Sequence, residues 1–147
     1  MSTRLLIYKA FPEGFNALNA IDKVIRESDI DKWHQELIKI RASHINGCAF
    51  CLDKHTKDAL ALNINPRKIN LIPVWREATD HFSEEEQLIL RLTEEVTLIH
   101  EEGLTDEVYN DSIRLFGETL TAQLVMAATV INAWNRIGVG LKMQPKF

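Results

Sequence analysis

Apolar residues recur at intervals of three and four along most of the chain, which is the spacing of amphipathic helices. In the first half, Asp31 is a residue type that caps a helix N-terminus, and Asn46 followed by Gly47 is typical of a helix end. A short helix can also begin at Pro66, because proline is favoured in the first turn. Four helices are therefore predicted, over residues 13–27, 31–45, 48–62 and 66–71.

The second half continues the helical pattern. Ser83 and Glu86 have the spacing of a capping box, and the apolar positions behind them predict a long helix that ends at Gly103. Two further helices are predicted over residues 105–117 and 119–137. The last helix is apolar on nearly all sides over residues 124–131, so we expect it to be buried inside a bundle or between subunits. No stretch alternates as a strand does, and the pattern predicts a compact all-α fold of about six to seven helices.

Composition narrows the class of protein. The chain has 147 residues, and residues 1–147 are expected to form a single domain with its own core. The apolar fraction is 46%, and 17 basic against 21 acidic residues give a net charge of −4, which does not indicate nucleic acid as a partner. No apolar run reaches the ~20 residues of a membrane span, and the first residues do not resemble a signal peptide. We therefore expect a cytoplasmic protein with no membrane partner.

Both cysteines of the chain, Cys48 and Cys51, form a Cys-x-x-Cys motif, and His55 follows four residues later. Positions i, i+3 and i+7 lie on one face of a helix, so two thiols and a base are predicted to share that face. In a reducing compartment such a motif indicates redox catalysis or metal binding rather than a disulfide scaffold. At a helix start, free backbone N–H groups and the helix dipole favour a thiolate on Cys48.

Glu36 is the fourth candidate in this chemistry. A thiolate that attacks a peroxide becomes a sulfenic acid, and a second thiol within reach condenses with it to a disulfide. His55 can hold the thiol proton, and Glu36 can orient the imidazole. On an unbroken helix, Glu36 and Cys48 would be about 18 Å apart. A turn at Asn46 and Gly47 would instead pack the two helices together and point Glu36 at the thiols.

Metal binding is the main chemical alternative. His44, Cys48, Cys51 and His55 supply four zinc-type ligands at intervals of four, three and four. On one helix they would form a stripe about 16 Å long, so tetrahedral binding would need the Gly47 turn. The sequence therefore leaves open a zinc-stabilised helical interaction domain, and also a general disulfide reductase or redox sensor without peroxidase turnover. A thioredoxin-like domain is disfavoured because it needs strands.

No bound cofactor is expected. The sequence has no glycine-rich phosphate loop, and neither flavin nor nicotinamide has an evident site. Reducing equivalents would then arrive through a dithiol or a protein thiol. Trp33, Trp75 and Trp134 are expected in the core or at a subunit interface, since tryptophan is usually found there in small helical proteins.

The segment 42–59, ASHINGCAFCLDKHTKDA, resembles the alkylhydroperoxidase D-like group of the carboxymuconolactone decarboxylase superfamily. The motif of that group is a glutamate, a Cys-x-x-Cys and a histidine four residues further on. The stretch 131–140, INAWNRIGVG, is similar to the closing helix of these domains, so the resemblance spans most of the chain. The residues that match the motif, with its separations, are Glu36, Cys48, Cys51 and His55.

The resemblance implies an all-helical domain that assembles as a homotrimer or homohexamer. It also implies a peroxidase that reduces organic hydroperoxides or hydrogen peroxide while it cycles between dithiol and disulfide. In that pattern Cys51 attacks the peroxide and Cys48 resolves the product, whereas the helix-dipole argument favours Cys48 as the more acidic thiol. Phe50 is a departure, because the best-known peroxidases of the group have a relay histidine there. The decarboxylase branch lacks the cysteine pair, so the superfamily name does not give the activity.

Overall fold

The computed structural model describes residues 4–147. The α-helices of this part are α1 (Ile7–Ala10), α2 (Pro12–Arg26), α3 (Lys32–Asn46), α4 (Ala49–Ala61), α5 (Pro66–Leu71), α6 (Glu84–Thr97) and α7 (Asp106–Gly140). Two 3₁₀ segments, Ile72–Glu77 and Thr79–His81, connect α5 to α6. The described residues contain no β-strand, and the predicted all-α class is confirmed. No helix among them is long and apolar enough to span a membrane.

Three of the residues predicted to begin or end helices do so in the structure. Asp31 accepts hydrogen bonds from two backbone N–H groups in the first turn of α3. Ser83 and Glu86 form both halves of the capping box at the start of α6. Gly47 ends α3 in the left-handed conformation, with φ of 66°, which glycine adopts at little cost. The turn before the cysteine motif is therefore determined by local sequence.

Five elements differ from the predicted pattern. α6 ends at Thr97 rather than at Gly103, and Ile99 beyond it is 55% exposed, so a longer helix would have had no apolar face to bury. α7 is one run in the structure, yet it breaks at Gly117, where φ is 77°, between the two predicted helices. The sequence does not predict α1 or the 3₁₀ segments, because they are too short to show a period.

α3 is the central helix of the domain and packs against α4, α6 and α7. Its apolar residues Leu37, Ile38 and Ile40 are fully buried. Glu36 and Lys39 on the same helix are buried as well, at 8% and 6% exposure. Over residues 35–43 this helix has little surface exposed to solvent, so its charged residues there need partners inside the protein.

The sequence predicts that α7 is buried on nearly all sides over residues 124–131 and that the tryptophans are buried. The structure shows this for some of these residues and not for others. Within the stretch 124–131, Met126 is 47% exposed, so burial on every side would require a neighbouring subunit. Trp33 and Trp75 lie in the core as expected. Trp134 is half-buried and lines a cavity, which the periodicity of α7 does not predict.

Glu94 on α6 joins three elements that surround the core. It accepts hydrogen bonds from Trp75 Nε1 at 2.8 Å and Arg41 Nε at 2.9 Å, and its other oxygen lies 2.6 Å from Arg76 Nη2. Burial alone would raise the pKa of Glu94. The hydrogen bonds from Arg76 and Trp75 and the charges of the two guanidinium groups outweigh burial, and they hold that pKa below the usual 4.5.

We expect Glu94→Gln to lower the free energy of unfolding by about 1–3 kcal/mol at neutral pH, because the buried Trp75 and the largely buried Arg41 lose a charged acceptor. Since the folded pKa of Glu94 is below the unfolded value, its stabilisation is complete above about pH 4.5 and is lost as the pH falls through the folded pKa. Urea denaturation at several pH values measures this, with the exposed Glu101→Gln as control. A difference from the wild type that does not shrink in acid would contradict the expectation.

Candidate active site

The turn at Gly47 places the two cysteines at the start of α4. Cys48 is the capping residue of α4 and Cys51 lies one turn in, so their Cα atoms are 5.3 Å apart. This separation lies within the range of natural disulfides, and the two sulfurs are bonded to each other. Both residues are buried, with 2% exposure for Cys48 and 4% for Cys51. The disulfide is therefore shielded from solvent on most sides.

Gly138 on α7 packs directly against the disulfide. A Cβ atom on Gly138 would lie 2.7 Å from Cys48 Sγ and 3.4 Å from Cys51 Sγ. The first distance is too short for a carbon–sulfur contact, so only glycine lets α7 approach this closely. Sequence reasoning did not identify Gly138. The available signal was a glycine inside a helix, which weakens the helix and usually has a packing reason.

Glu36 and His55 meet across the contact between α3 and α4. His55 Nδ1 lies 2.9 Å from Glu36 Oε2, and each side chain is 11% exposed. The turn at Gly47 thus brings Glu36 beside the motif, which is the arrangement that the spacing predicted. A carboxylate at Nδ1 holds the proton there and leaves Nε2 as the basic nitrogen of a neutral imidazole. Glu36 is therefore placed to orient His55, whose Nε2 can act as a base.

Two further charged side chains contact this pair, one at Glu36 and one at His55. Lys39 Nζ lies 3.4 Å from Glu36 Oε1, and Asp58 Oδ2 lies 3.6 Å from His55 Nδ1. Asp58 also accepts a hydrogen bond from Lys54 Nζ at 2.8 Å. Sequence reasoning missed Lys39 and Asp58. Each follows a predicted site residue by three positions, which places it on the same helix face, and that spacing was the available signal.

A cavity of about 460 Å³ lies beside Cys51, a volume typical of small-molecule pockets. Cys51 and Phe50 line it, whereas Cys48 does not. The Glu36–His55 pair lines the same cavity. Much of the remaining lining is apolar or aromatic and comes from the N-terminal segment, α2 and α7, including Leu6, Tyr8, Phe15, Trp134, Ile137 and Leu141.

The two cysteines have different surroundings. Cys51 lines the cavity, where a small molecule can reach it. Cys48 Sγ accepts a hydrogen bond from the backbone N–H of Cys51 at 3.3 Å, at the N-terminus of α4. That position favours negative charge on Cys48. Access from the cavity and stabilisation of negative charge are therefore divided between the two sulfurs.

The four zinc-type ligands are not gathered into one site. The cysteine sulfurs are bonded to each other, and thiolates are what zinc requires. His44 Nδ1 is buried without a hydrogen-bond partner among the described residues; burial, together with the nearby Arg41 charge, lowers its pKa below 6.5. Between residues 4 and 147, the one group of such side chains close enough to share a metal ion is Glu36, His55 and Asp58. Lysines already neutralise both of those carboxylates.

These features define an all-α protein with a buried Cys-x-x-Cys disulfide at a helix start, a Glu–His pair and a cavity at one cysteine. The carboxymuconolactone decarboxylase family model matches residues 11–95, which is more than half of the chain. The chain belongs to this family.

Relatives cover nearly the whole chain. The uncharacterised protein YdfG of Bacillus subtilis is 38% identical over 141 residues, which are 96% of this chain and 95% of YdfG. A crystal structure from Agrobacterium tumefaciens has a TM-score of 0.95 at 36% identity and covers 99% of both chains. That protein is described as one of unknown function, with a suggested role as an antioxidant defence protein, AhpD. A peroxidase-related protein from a Silicibacter species shares the fold, with a TM-score of 0.78, 22% identity, and coverage of 91% of this chain and 71% of that one.

We expect Gly138→Ala to weaken the disulfide, because the new methyl group would overlap Cys48 Sγ. The equilibrium constant for disulfide formation against dithiothreitol should fall roughly tenfold, which corresponds to about 1.4 kcal/mol of strain. Gly140→Ala is the matched control, since a Cβ there has no neighbour within 4 Å. Equal constants for the two variants would show that the close approach of α7 does not act on the disulfide.

Proposed function

We propose that this protein is a thiol peroxidase that reduces organic hydroperoxides or hydrogen peroxide through a dithiol–disulfide cycle of Cys48 and Cys51. One observation carries the proposal: Cys51 lines a small-molecule cavity together with the Glu36–His55 pair, while its disulfide partner Cys48 lies outside that cavity. The similarity to the Agrobacterium protein with a suggested antioxidant role supports the same activity.

In the oxidative step, Cys51 attacks the peroxide. His55 Nε2 accepts the Cys51 thiol proton, and Glu36 stabilises the resulting imidazolium through its contact with Nδ1. The thiolate attacks one peroxide oxygen, the O–O bond breaks, and the leaving oxygen takes up a proton to depart as water or an alcohol. Cys51 is then a sulfenic acid, oxidised by two electrons, and the peroxide is reduced by two.

In the resolving step, Cys48 attacks the sulfenic acid. The Cys48 thiolate forms the S–S bond with Cys51 and releases hydroxide, which leaves as water with one proton. The two cysteines are one helical turn apart, so this condensation needs no large movement of α4. Fast resolution protects Cys51 from further oxidation.

The cycle closes when a dithiol or a protein thiol reduces the disulfide by exchange. This donor accounts for both electrons, so the reaction requires no flavin, nicotinamide or metal.

We also propose a cytoplasmic location and a homotrimeric or homohexameric assembly. The open face of α7 at Met126 is consistent with subunit contacts.

A second function is a general disulfide reductase or redox sensor with no peroxidase turnover. Phe50 favours it, because Phe50 lines the cavity with an apolar ring at the position where the best-known peroxidases of the group that the motif resembles have a relay histidine. Both functions use the same cysteines, and peroxide consumption separates them. A zinc-stabilised interaction domain is a weaker alternative, since it requires the cysteines to stay reduced.

The two cysteines should respond differently to substitution. With dihydrolipoamide as donor, the wild type should consume cumene hydroperoxide continuously, and both Cys51→Ser and Cys48→Ser should stop turnover. Cys48→Ser should still consume about one equivalent and form a sulfenic acid that dimedone traps, because its attacking thiol remains. Cys51→Ser should form none. Equal rates in all three proteins would end the catalytic proposal, and the reverse pattern would make Cys48 the attacking residue.

The Glu36–His55 pair should matter for the rate rather than for the end point. His55→Asn should slow sulfenic acid formation about 100-fold, since the base is lost, while the disulfide can still form. Stopped-flow tryptophan fluorescence can follow the reaction, because Trp134 lines the same cavity. The exposed His100→Asn is the matched control. An unchanged rate in His55→Asn would remove the imidazole from the mechanism.

A further inference from the structure

Lys39 is a buried ammonium group that the steps above do not use. Its side chain is 8% exposed, and among the described residues its Nζ has one partner, Glu36 Oε1, at 3.4 Å. That contact is long for a charge-assisted hydrogen bond, which is usually about 2.7–2.9 Å. An ammonium has three N–H donors, and burying it is costly unless they are satisfied. Lys39 therefore has donors available for a molecule in the cavity that it lines.

The other charged donors that line the cavity, and the residue at the relay position, do not fill this role. Lys54 and Arg26 are each 56% exposed, and each already pairs with a carboxylate four residues away. Phe50 has no proton to donate. His55 is engaged with Glu36 and serves as the base for the thiol. In the described part of the chain, Lys39 is thus the one buried lysine or arginine facing the reaction cavity.

The chemistry requires an acid at this place. When the Cys51 thiolate attacks an alkyl hydroperoxide, the electrons of the O–O bond move to the alkoxide, which is a poor leaving group until it receives a proton. An ammonium group that donates a hydrogen bond to that oxygen stabilises the developing charge and can supply the proton. The contact with Glu36 Oε1 holds the Lys39 ammonium group at the wall of the cavity.

We propose that Lys39 is a catalytic residue that hydrogen-bonds the leaving oxygen of the peroxide and protonates it. The Cys51 thiolate, the hydroperoxide and the Lys39 ammonium then give a Cys51 sulfenic acid, an alcohol and a neutral amine, which regains its proton from water. Lys39 thereby takes the place of the relay histidine that Phe50 replaces. This inference rests on the proposed peroxidase function.

The test uses two oxidants with different leaving groups on the reduced, full-length protein. tert-Butyl hydroperoxide releases an alkoxide that must be protonated, whereas peracetic acid releases acetate, which needs no proton. Lys39→Met should slow oxidation of Cys51 by tert-butyl hydroperoxide about 100-fold, the effect of losing one such donor. Oxidation by peracetic acid should change less than about threefold, since there the acid is unnecessary. The surface variant Lys57→Met, at a side chain that is 59% exposed, should change neither rate.

Each possible result of this test leads to a different conclusion. Equal losses with both oxidants would assign Lys39 a structural role and overturn the inference, as would no loss with either. If Lys39→Met does not fold, Lys39→Arg keeps the charge and a hydrogen-bond donor beside Glu36 but holds its proton too tightly, and it should show a smaller loss that is still selective for tert-butyl hydroperoxide. A wild type that consumes neither oxidant would overturn the peroxidase function itself. Turnover in the wild type with no selective loss in either variant would overturn only the role of Lys39.

Discussion

The arrangement of the site depends on charge that is buried on α3, a helix enclosed by its neighbours. A buried charge is tolerated only when it is paired or hydrogen-bonded, and Glu36 has two oxygens to satisfy. Lys39 approaches one oxygen and His55 the other. Because His55 belongs to α4, this pairing restricts how α4 can lie on α3, and the position of α4 in turn sets where the disulfide meets α7.

Apolar packing alone would not fix the position of α4 on α3 so closely. Contacts among Leu37, Ile38 and Ile40 and their neighbours hold the helices together, but they are non-directional and tolerate small shifts in register. The contact between His55 and Glu36 is directional and short. Stability thus comes mainly from the core, whereas the geometry of the candidate site comes from a few polar contacts within it.

The sequence predicts the all-α class, most helix boundaries and the group of Glu36, Cys48, Cys51 and His55. The class and the boundaries are confirmed, because their determinants are local caps and a left-handed glycine. The same local turn brings Glu36 against His55. Gly138 and Trp134 are different, since they reach the site from a helix about ninety residues away in the chain. The periodicity of a helix does not predict which distant helix its faces will contact. The cavity and the close approach of α7 to the disulfide are therefore seen only in the folded structure.

Only one of the two sulfurs is open to the cavity, and this has a kinetic consequence. In the proposed cycle the peroxide reaches Cys51 through that cavity, and the incoming thiol of a donor must reach the same sulfur of the disulfide, because Cys48 is walled off by α7. Cys48 is then the leaving thiolate, at the helix start that favours its charge. In that cycle the oxidant and the reductant share one entrance and exclude each other, so either one in excess obstructs the other.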